Sequence, residues 1–181
     1  MGTETEVKIK LLDFEDFCRN LQGLNPRVLA DRHFEDNSLL DFPDGRLQSN
    51  RCMVRVRAAN DQAVLTYKGS PRPEGIFKVR EELETRVESG AAALQILERL
   101  GMRICFRYQK YRREFEIDEV KVAVDETPIG DYAEFEGSES AILNLAQKIR
   151  VEPSSFMRES YYALYVEHCE KRGETPSYMI F

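Results

Sequence analysis

Near its N-terminus the chain reads Glu4-Thr5-Glu6-Val7-Lys8-Ile9-Lys10, in which charged residues alternate strictly with less polar ones. Successive side chains of a β-strand point to opposite faces, so the stretch predicts a strand with all its charges on one face. A half-buried strand at the edge of a sheet would show the same pattern. The two interpretations differ in whether the pattern should return elsewhere in the chain.

The same alternation does return along the chain, at 51–58, 62–68, 76–87, 103–117, 120–125 and 132–137. Together with a predicted strand over 28–36, these segments give about eight antiparallel strands, which is enough to close a barrel. The apolar parity then faces helices outside the barrel, and the charged parity points inward. We therefore predict an α+β fold, an antiparallel β-barrel of about eight strands with helices packed outside.

Helix signals lie between the predicted strands. Asp13, Ser89 and Ser138 are each predicted to cap a helix, because a side-chain oxygen at that position can accept a hydrogen bond from the first turn. A last helix is predicted over about 153–172, where apolar residues recur at helical spacing.

Three irregular features are also predicted. A loop with a turn signal runs from 37 to 50, and the segment 69–75 is predicted to be a mobile flap over a site. The strand 103–117 is apolar in its first half on the parity that carries charges in its second half. A β-bulge near Gln109 would reconcile the two halves.

The composition is that of a folded protein, with 181 residues of which 42% are hydrophobic and 32% charged, and we expect one domain over 1–181. No apolar run approaches membrane-spanning length and the start is too polar for a signal peptide, so we expect a cytoplasmic protein without a membrane partner. The net charge of −6 argues against nonspecific nucleic-acid binding. Four scattered cysteines and two histidines argue against a classical zinc site.

The predicted interior carries charges of both signs. On the inward parity the cations are Lys8, Lys10, Arg55, Arg57, Lys68, Lys78, Arg80, Lys110 and Arg112, and the anions are Glu4, Glu6, Glu82, Glu84, Asp125, Glu134 and Glu136. A dry core cannot hold so many charges, so the interior must contain water, metal ions and a charged ligand. Basic side chains bind phosphate and paired carboxylates bind Mg²⁺, which favours a polyphosphate with its metal. Solvated faces joined by cross-strand ion pairs are the alternative.

The charged segments also form an ordered series of motifs. The series is Glu4-x-Glu6-x-Lys8, Arg55-x-Arg57, Leu65-Thr66-Tyr67-Lys68-Gly69, Lys78-Val79-Arg80-Glu81-Glu82-x-Glu84, Lys110-x-Arg112, Asp125 and Gly130-Asp131-Tyr132-Ala133-Glu134-Phe135-Glu136-Gly137. In this order it resembles the CYTH superfamily, the triphosphate tunnel metalloenzymes. The branch that it resembles contains the class IV adenylyl cyclases and shares its fold with thiamine triphosphatases. The resemblance covers nearly the whole chain and implies a barrel that encloses a tunnel.

The resemblance implies a role for each charged group. Glu4, Glu6 and Glu136 would hold a first Mg²⁺ or Mn²⁺, and Asp125 and Glu134 would help to hold a second metal or position water. The groups that would bind the triphosphate are Lys8, Lys10, Arg55, Arg57, Lys68, Lys78, Arg80, Lys110, Arg112 and Arg158. The candidate catalytic residues are Glu82, Glu84 and Lys110, although the two glutamates could equally order the cations by ion pairing.

The sequence departs from the family pattern before the last helix. Family members often carry a basic residue directly beside a Ser-Tyr pair there, whereas Ser160-Tyr161 is preceded by Glu159, with Arg158 one residue further back.

The activity that the resemblance implies is metal-dependent hydrolysis of a triphosphate, either tripolyphosphate, thiamine triphosphate or a nucleoside triphosphate. The alternative is a class IV adenylyl cyclase, which converts ATP to cyclic AMP and pyrophosphate. Two interpretations without catalysis are a polyphosphate-binding module, which would not need the acidic residues, and an interaction scaffold. Many family members are dimers, so the resemblance is also compatible with a homodimer.

Overall fold

Eight β-strands pair edge to edge and close on themselves in the computed structural model, which describes residues 2–181. They are β1 (Gly2–Leu11), β2 (Arg27–Asp41), β3 (Met53–Ala59), β4 (Gln62–Lys68), β5 (Lys78–Val87), β6 (Arg103–Ile117), β7 (Val120–Thr127) and β8 (Gly130–Glu136). Their order around the barrel is β1-β5-β4-β3-β2-β6-β7-β8. β1 closes the barrel because it pairs antiparallel with β5 on one edge and with β8 on the other. The predicted barrel is confirmed.

Helices connect the strands on the outside. They are α1 (Phe14–Gln22), α2 (Arg46–Ser49), α3 (Gly90–Arg99), α4 (Glu139–Lys148) and α5 (Tyr161–Arg172). Asp13, Ser89 and Ser138 begin α1, α3 and α4 as predicted, since each side-chain oxygen accepts a hydrogen bond from the backbone N–H three residues later.

The apolar core lies outside the barrel wall. Val7 of β1 and Phe135 of β8 are almost completely buried and pack in one cluster with residues of α1 and α4. Val56 of β3 is buried in a second cluster with Ala93 of α3. Its neighbour Arg55 lines the interior instead, as alternation along a strand requires. The predicted inside-out arrangement is therefore confirmed.

β2 is longer than predicted. The prediction ended this strand at Asp36 and placed a loop over 37–50, but the strand continues to Asp41. Asn37 pairs with Arg57 of β3 on one side and with Tyr108 of β6 on the other. These two neighbouring strands supply the backbone hydrogen bonds that override the low strand propensity of asparagine and serine.

The bulge predicted near Gln109 is wrong. The register between β2 and β6 shifts instead at Cys105, because Leu39 pairs with Phe106 and Leu40 with Ile104. Tyr108 and Lys110 both line the interior without any break between them. An apolar residue can share the inward parity here because Phe106 and Tyr108 pack in a cluster with Tyr161 and Leu164 of α5.

The last helix begins later than predicted. A short 3₁₀ turn at Pro153–Ser155 is followed by an extended segment, and α5 starts only at Tyr161, with Ser160 as its cap. The backbone of Met157 exchanges two hydrogen bonds with that of Lys8, at 2.9 and 2.8 Å. This pairing to β1 holds the segment extended and prevents the helix from starting at Pro153.

The C-terminal residues cover an edge of β6 that β7 leaves open. β7 pairs with β6 only from Tyr111 to Ile117. On the N-terminal side of Tyr111, the backbone of Met179 makes hydrogen bonds with the backbone of Arg107 and Gln109, at 3.0 and 2.8 Å. Uncovered strand edges favour pairing with other chains, so the tail protects the barrel. No helix between residues 2 and 181 combines the length and apolarity that crossing a membrane requires.

Because the apolar core lies outside the barrel wall, shortening an outward-facing core side chain should destabilise the protein. Phe135 is fully buried and stacks on Phe17, with the two ring centroids 6.3 Å apart. We expect Phe135→Ala to lower the free energy of unfolding by about 3–5 kcal/mol, because it removes a large side chain and leaves a cavity. Denaturant unfolding measures this, with the 95% exposed Leu12 as the matched control in Leu12→Ala. Equal stability of the two variants would contradict a core outside the barrel.

Candidate functional site

The barrel encloses a cavity of about 350 Å³ that most of the predicted site residues line. These lining residues are Glu4, Glu6, Lys8, Arg55, Arg57, Lys68, Lys78, Arg80, Glu82, Glu84, Lys110, Arg112, Glu134 and Glu136. The strands bring them together because every second residue points inward: β1, β3, β5, β6 and β8 each contribute two or more, and β4 contributes Lys68. We call this cavity the tunnel.

Three predicted residues do not line the tunnel. Lys10 shares the inward parity of β1 but is exposed, beyond the lined stretch of that strand. Asp125 is completely buried, because Lys110, Arg112 and Tyr161, which line the tunnel, bond its carboxylate and cover it. Arg158 donates from its guanidinium to the backbone carbonyls of Arg72, Pro73 and Gly75, with the last two bonds at 3.0 Å. It therefore contacts the loop between β4 and β5, the predicted flap, whose mobility stays a prediction.

One end of the network is organised around Asp125. Its carboxylate accepts hydrogen bonds from Arg112 at 2.6 Å through both oxygens and from Lys110 at 3.0 Å. Glu134 accepts from Lys8 at 2.7 Å and from Arg112. Burial alone would raise the pKa of Glu134, but Lys8 and Arg112 hold it well below its usual value. Glu134 thus stays charged, and the two carboxylates together bond three cations at the tunnel wall.

Glu35 extends this network and was missed in the sequence. It is 2% exposed, and its carboxylate lies 3.4 Å from Arg57, 3.5 Å from Lys110 and 3.6 Å from His33. Burial would raise its pKa, but Lys110 and Arg112 hold the pKa well below the ordinary value. The sequence did not reveal Glu35 because Glu35 and Asp36 are both acidic, so strand alternation alone did not show which of the two faces inward.

Several buried polar atoms at and beside Glu35 make no hydrogen bond within the described residues. Within residues 2–181, neither the amide nitrogen nor the amide oxygen of the fully buried Asn37 has a hydrogen-bond partner, and the same holds for Nε of Arg55 and Oε2 of Glu35. Buried polar groups in proteins are normally bonded. Of these three residues only Arg55 lines the tunnel.

The candidate catalytic glutamates are both engaged by cations. Glu82 lies 3.3 Å from Lys68. Glu84 accepts a hydrogen bond from Thr66 at 3.0 Å and lies 3.6 Å from Arg57. The observed contacts are those of residues that order the cations, which was the second role considered for them.

Carboxylates crowd together at the junction of β1, β5 and β8. Glu4 contacts Lys68 at 2.6 Å and Arg80 at 3.3 Å, and Glu6 contacts Lys78 at 2.9 Å. Burial and then the charge of Glu6 raise the pKa of Glu4 to about 7. Burial opposes the charge on Glu6, but Lys78 and Lys68 keep its pKa well below the usual value.

Glu136 completes this acidic group. It lies directly opposite Glu6 in the pairing of β1 with β8. Burial is the main cause of its raised pKa, and no ion pair of Glu136 is found in the part of the chain that the structure describes. A cation placed here would relieve the crowding of Glu4, Glu6 and Glu136.

The donor set fits a hard divalent cation. Oxygen ligands from carboxylates are what Mg²⁺ and Mn²⁺ prefer, and these three side chains share one stretch of the tunnel. Among residues 2–181, no three acidic, histidine or cysteine side chains already converge as a metal site. Glu4 and Glu6 would therefore have to turn from Lys68 and Lys78 toward a metal.

A second cavity of about 500 Å³ adjoins the tunnel, and the two share Leu39, Met53, Lys78, Arg80, Ser160 and Tyr162. Phe106 and Leu47 contribute to its other walls. It could hold an uncharged organic group attached to an anion in the tunnel.

The family model described as "CYTH domain" matches residues 2–161. The chain belongs to the CYTH family. A relative from Methanocaldococcus jannaschii, named as a candidate adenylate cyclase, is 23% identical over 172 residues, which cover 89% of this chain and 97% of the relative.

Solved structures show the same fold. A candidate adenylate cyclase from Vibrio parahaemolyticus superposes with a TM-score of 0.77 at 20% identity, covering 90% of this chain and 97% of that protein. A candidate adenylyl cyclase from Hippeastrum, described as having a dominant triphosphatase activity, gives a TM-score of 0.65 at 16% identity over 96% of this chain and 97% of that one. At such identities the likeness shows the CYTH barrel and not the activity.

The raised pKa of Glu4 predicts how metal-free stability depends on pH. The folded protein keeps the Glu4 proton up to a pKa of about 7, whereas the ordinary pKa of a glutamate in an unfolded chain is 4.5. Glu4 should therefore make stability fall as pH rises through this window, by on the order of 3 kcal/mol. Glu4→Gln cannot ionise and should remove that slope.

Denaturant unfolding in chelator at pH 5, 6 and 7 tests this, comparing wild type with Glu4→Gln. The exposed Glu15 provides the control variant Glu15→Gln, which should keep the wild-type slope. If the free energy of unfolding changed with pH equally in wild type and in Glu4→Gln, Glu4 would not titrate in this window.

Proposed function

We propose that the protein is a divalent-metal-dependent hydrolase of triphosphates. The observation that supports this most directly is a cavity inside the barrel that is lined both by many buried cations and by the acidic group of Glu4, Glu6 and Glu136. The cations match phosphate oxygens and the acidic group matches the metal that accompanies a triphosphate.

The chain's own residues would act mainly by binding and orientation. Arg55, Arg57 and Lys68 would exchange their carboxylate partners for phosphate oxygens, which present a similar arrangement of acceptors. Lys110, held between Glu35 and Asp125, would neutralise charge that develops on the transferring phosphoryl group. Glu4, Glu6 and Glu136 would hold the metal, which supplies charge neutralisation and an activated water when bound.

In hydrolysis, a bond forms between the oxygen of water and the terminal phosphorus as the bridging P–O bond breaks. The leaving diphosphate group takes the electron pair, and the two protons of the water pass to the orthophosphate and diphosphate products or to solvent. We propose that Asp125 and Glu134 position cations rather than metal, because Asp125 does not line the tunnel and its oxygens are occupied by Arg112 and Lys110.

An adenylyl cyclase is the second candidate. It is favoured by the adjoining cavity, which offers room for a nucleoside beside the tunnel, and by the names of the relatives. There the ribose 3′-hydroxyl would attack the α-phosphorus and pyrophosphate would leave.

Phosphorus NMR of a substrate panel distinguishes these candidates. The panel contains tripolyphosphate, thiamine triphosphate and ATP, each with Mg²⁺ or Mn²⁺. Orthophosphate release supports hydrolysis, and cyclic AMP with pyrophosphate supports cyclisation. Tight binding of every compound without turnover would indicate a polyphosphate-binding module.

If Arg57 binds phosphate, Arg57→Ala should bind tripolyphosphate more weakly. A charge-assisted contact to phosphate is worth about 1.5–3 kcal/mol, so tripolyphosphate should bind about 10- to 100-fold more weakly. Arg57→Lys should recover only part of this because the planar fork is lost. Calorimetric titration measures both, and Arg99→Ala, at an exposed position on α3, should bind as wild type. If Arg57→Ala bound tripolyphosphate as tightly as wild type does, Arg57 would not be a phosphate-binding residue.

The metal assignment predicts that Glu136→Gln loses Mn²⁺ affinity and most turnover. Since Glu136 has a raised pKa through burial, its removal should keep or raise the metal-free melting temperature. Glu6→Gln should lose metal affinity too but melt lower, because it leaves Lys78 without its partner at 2.9 Å. Mn²⁺ titration by electron paramagnetic resonance and thermal melts check this. Wild-type Mn²⁺ affinity in both variants would contradict the acidic group as a metal site.

A further inference from the structure

Tyr161, the first residue of α5, reaches into the tunnel wall although it lies on a helix outside the barrel. It is 6% exposed and lines the tunnel. Its hydroxyl donates a hydrogen bond of 2.5 Å to Oδ2 of Asp125. A residue near the C-terminal end of the chain therefore contacts the carboxylate on which several tunnel cations depend.

The Tyr161 ring also lies close to two ammonium groups. Nζ of Lys8 is 4.5 Å from the ring centroid and Nζ of Lys110 is 5.0 Å from it. An aromatic face attracts a cation at such distances. Tyr161 thus touches two lysines with its ring and their neighbour Asp125 with its hydroxyl.

The segment before α5 fixes where this ring lies. The backbone of Met157 pairs with that of Lys8, one of the residues that the Tyr161 ring contacts. Arg158 holds the loop between β4 and β5, and Ser160 caps the helix. The segment 157–161 is therefore attached to β1, to this loop and to Asp125 at once.

We propose that Tyr161 is a positioning residue of the tunnel, which holds Lys8, Lys110 and Arg112 where they can receive phosphate oxygens. The proposal rests on the proposed function. Without the hydroxyl, Asp125 loses a neutral donor and draws Lys110 and Arg112 closer. The ring meanwhile offers the lysines an attraction that does not consume their N–H donors, so these remain available to a phosphate.

Tyr161→Phe tests the hydroxyl because it keeps the ring and its packing. We expect metal-free tripolyphosphate affinity and kcat/KM with metal each to fall about tenfold or more. The melting temperature should change little. Tyr165→Phe is the matched control: it makes the same change one turn along α5, on a ring that packs against Phe106 outside the tunnel lining, and should behave as wild type.

A double-mutant cycle with Asp125→Asn tests whether the effect passes through Asp125. If it does, the affinity losses of Tyr161→Phe and Asp125→Asn are strongly non-additive. Additive losses, or a lower melting temperature with unchanged affinity per folded molecule, would overturn the proposal and leave Tyr161 a packing residue.

The same measurements separate this proposal from the proposed function. Wild-type protein that neither binds nor turns over tripolyphosphate, thiamine triphosphate or ATP would overturn the function and the positioning role with it. An active wild type with an equally active Tyr161→Phe would overturn only the positioning role.

Discussion

The structure depends on the pairing of opposite charges inside a closed barrel. Lys8 with Glu134, Lys68 with Glu4, and Lys110 with Asp125 are pairs whose members are largely or fully buried. An isolated charge in such a place would be prohibitively costly, so each strand must present its charges in register with partners on its neighbours. The charged interior in turn forces the apolar residues outward. Helices outside the wall are then required to bury them, as α4 does over β7 and β8.

The same pairing prepares the interior for an anionic ligand. The carboxylates occupy positions that phosphate oxygens could take, so the cations are already oriented before a ligand enters. Binding then exchanges one set of anionic acceptors for another and does not require ordering of long flexible side chains. The acidic junction of β1 and β8 differs, because Glu136 lacks an ion pair within residues 2–181 and crowds Glu6. This asymmetry divides the tunnel between a region suited to phosphate and a region suited to a metal.

Membership of the CYTH family does not by itself decide the reaction. Hydrolysis and cyclisation need the same cations and the same metal, and they differ in which phosphorus lies at the reactive position and which hydroxyl attacks it. That choice depends on how deeply the triphosphate enters and on what the adjoining cavity holds. Under the proposed function, residues that line both cavities, such as Met53 and Tyr162, would set this depth.

The sequence by itself determined which residues face inward, because strand parity is local: Arg55 and Lys68 follow from alternation and from the ordered family motifs. Only the tertiary structure decided which charges meet. Asp125 faces inward but is covered by Lys110, Arg112 and Tyr161, and Arg158 contacts loop carbonyls. Glu35 and Tyr161 join the network only because β2 extends between β3 and β6, and because the segment before α5 pairs with Lys8. Such contacts join residues far apart in the chain, and they depend on register and packing that no local pattern encodes.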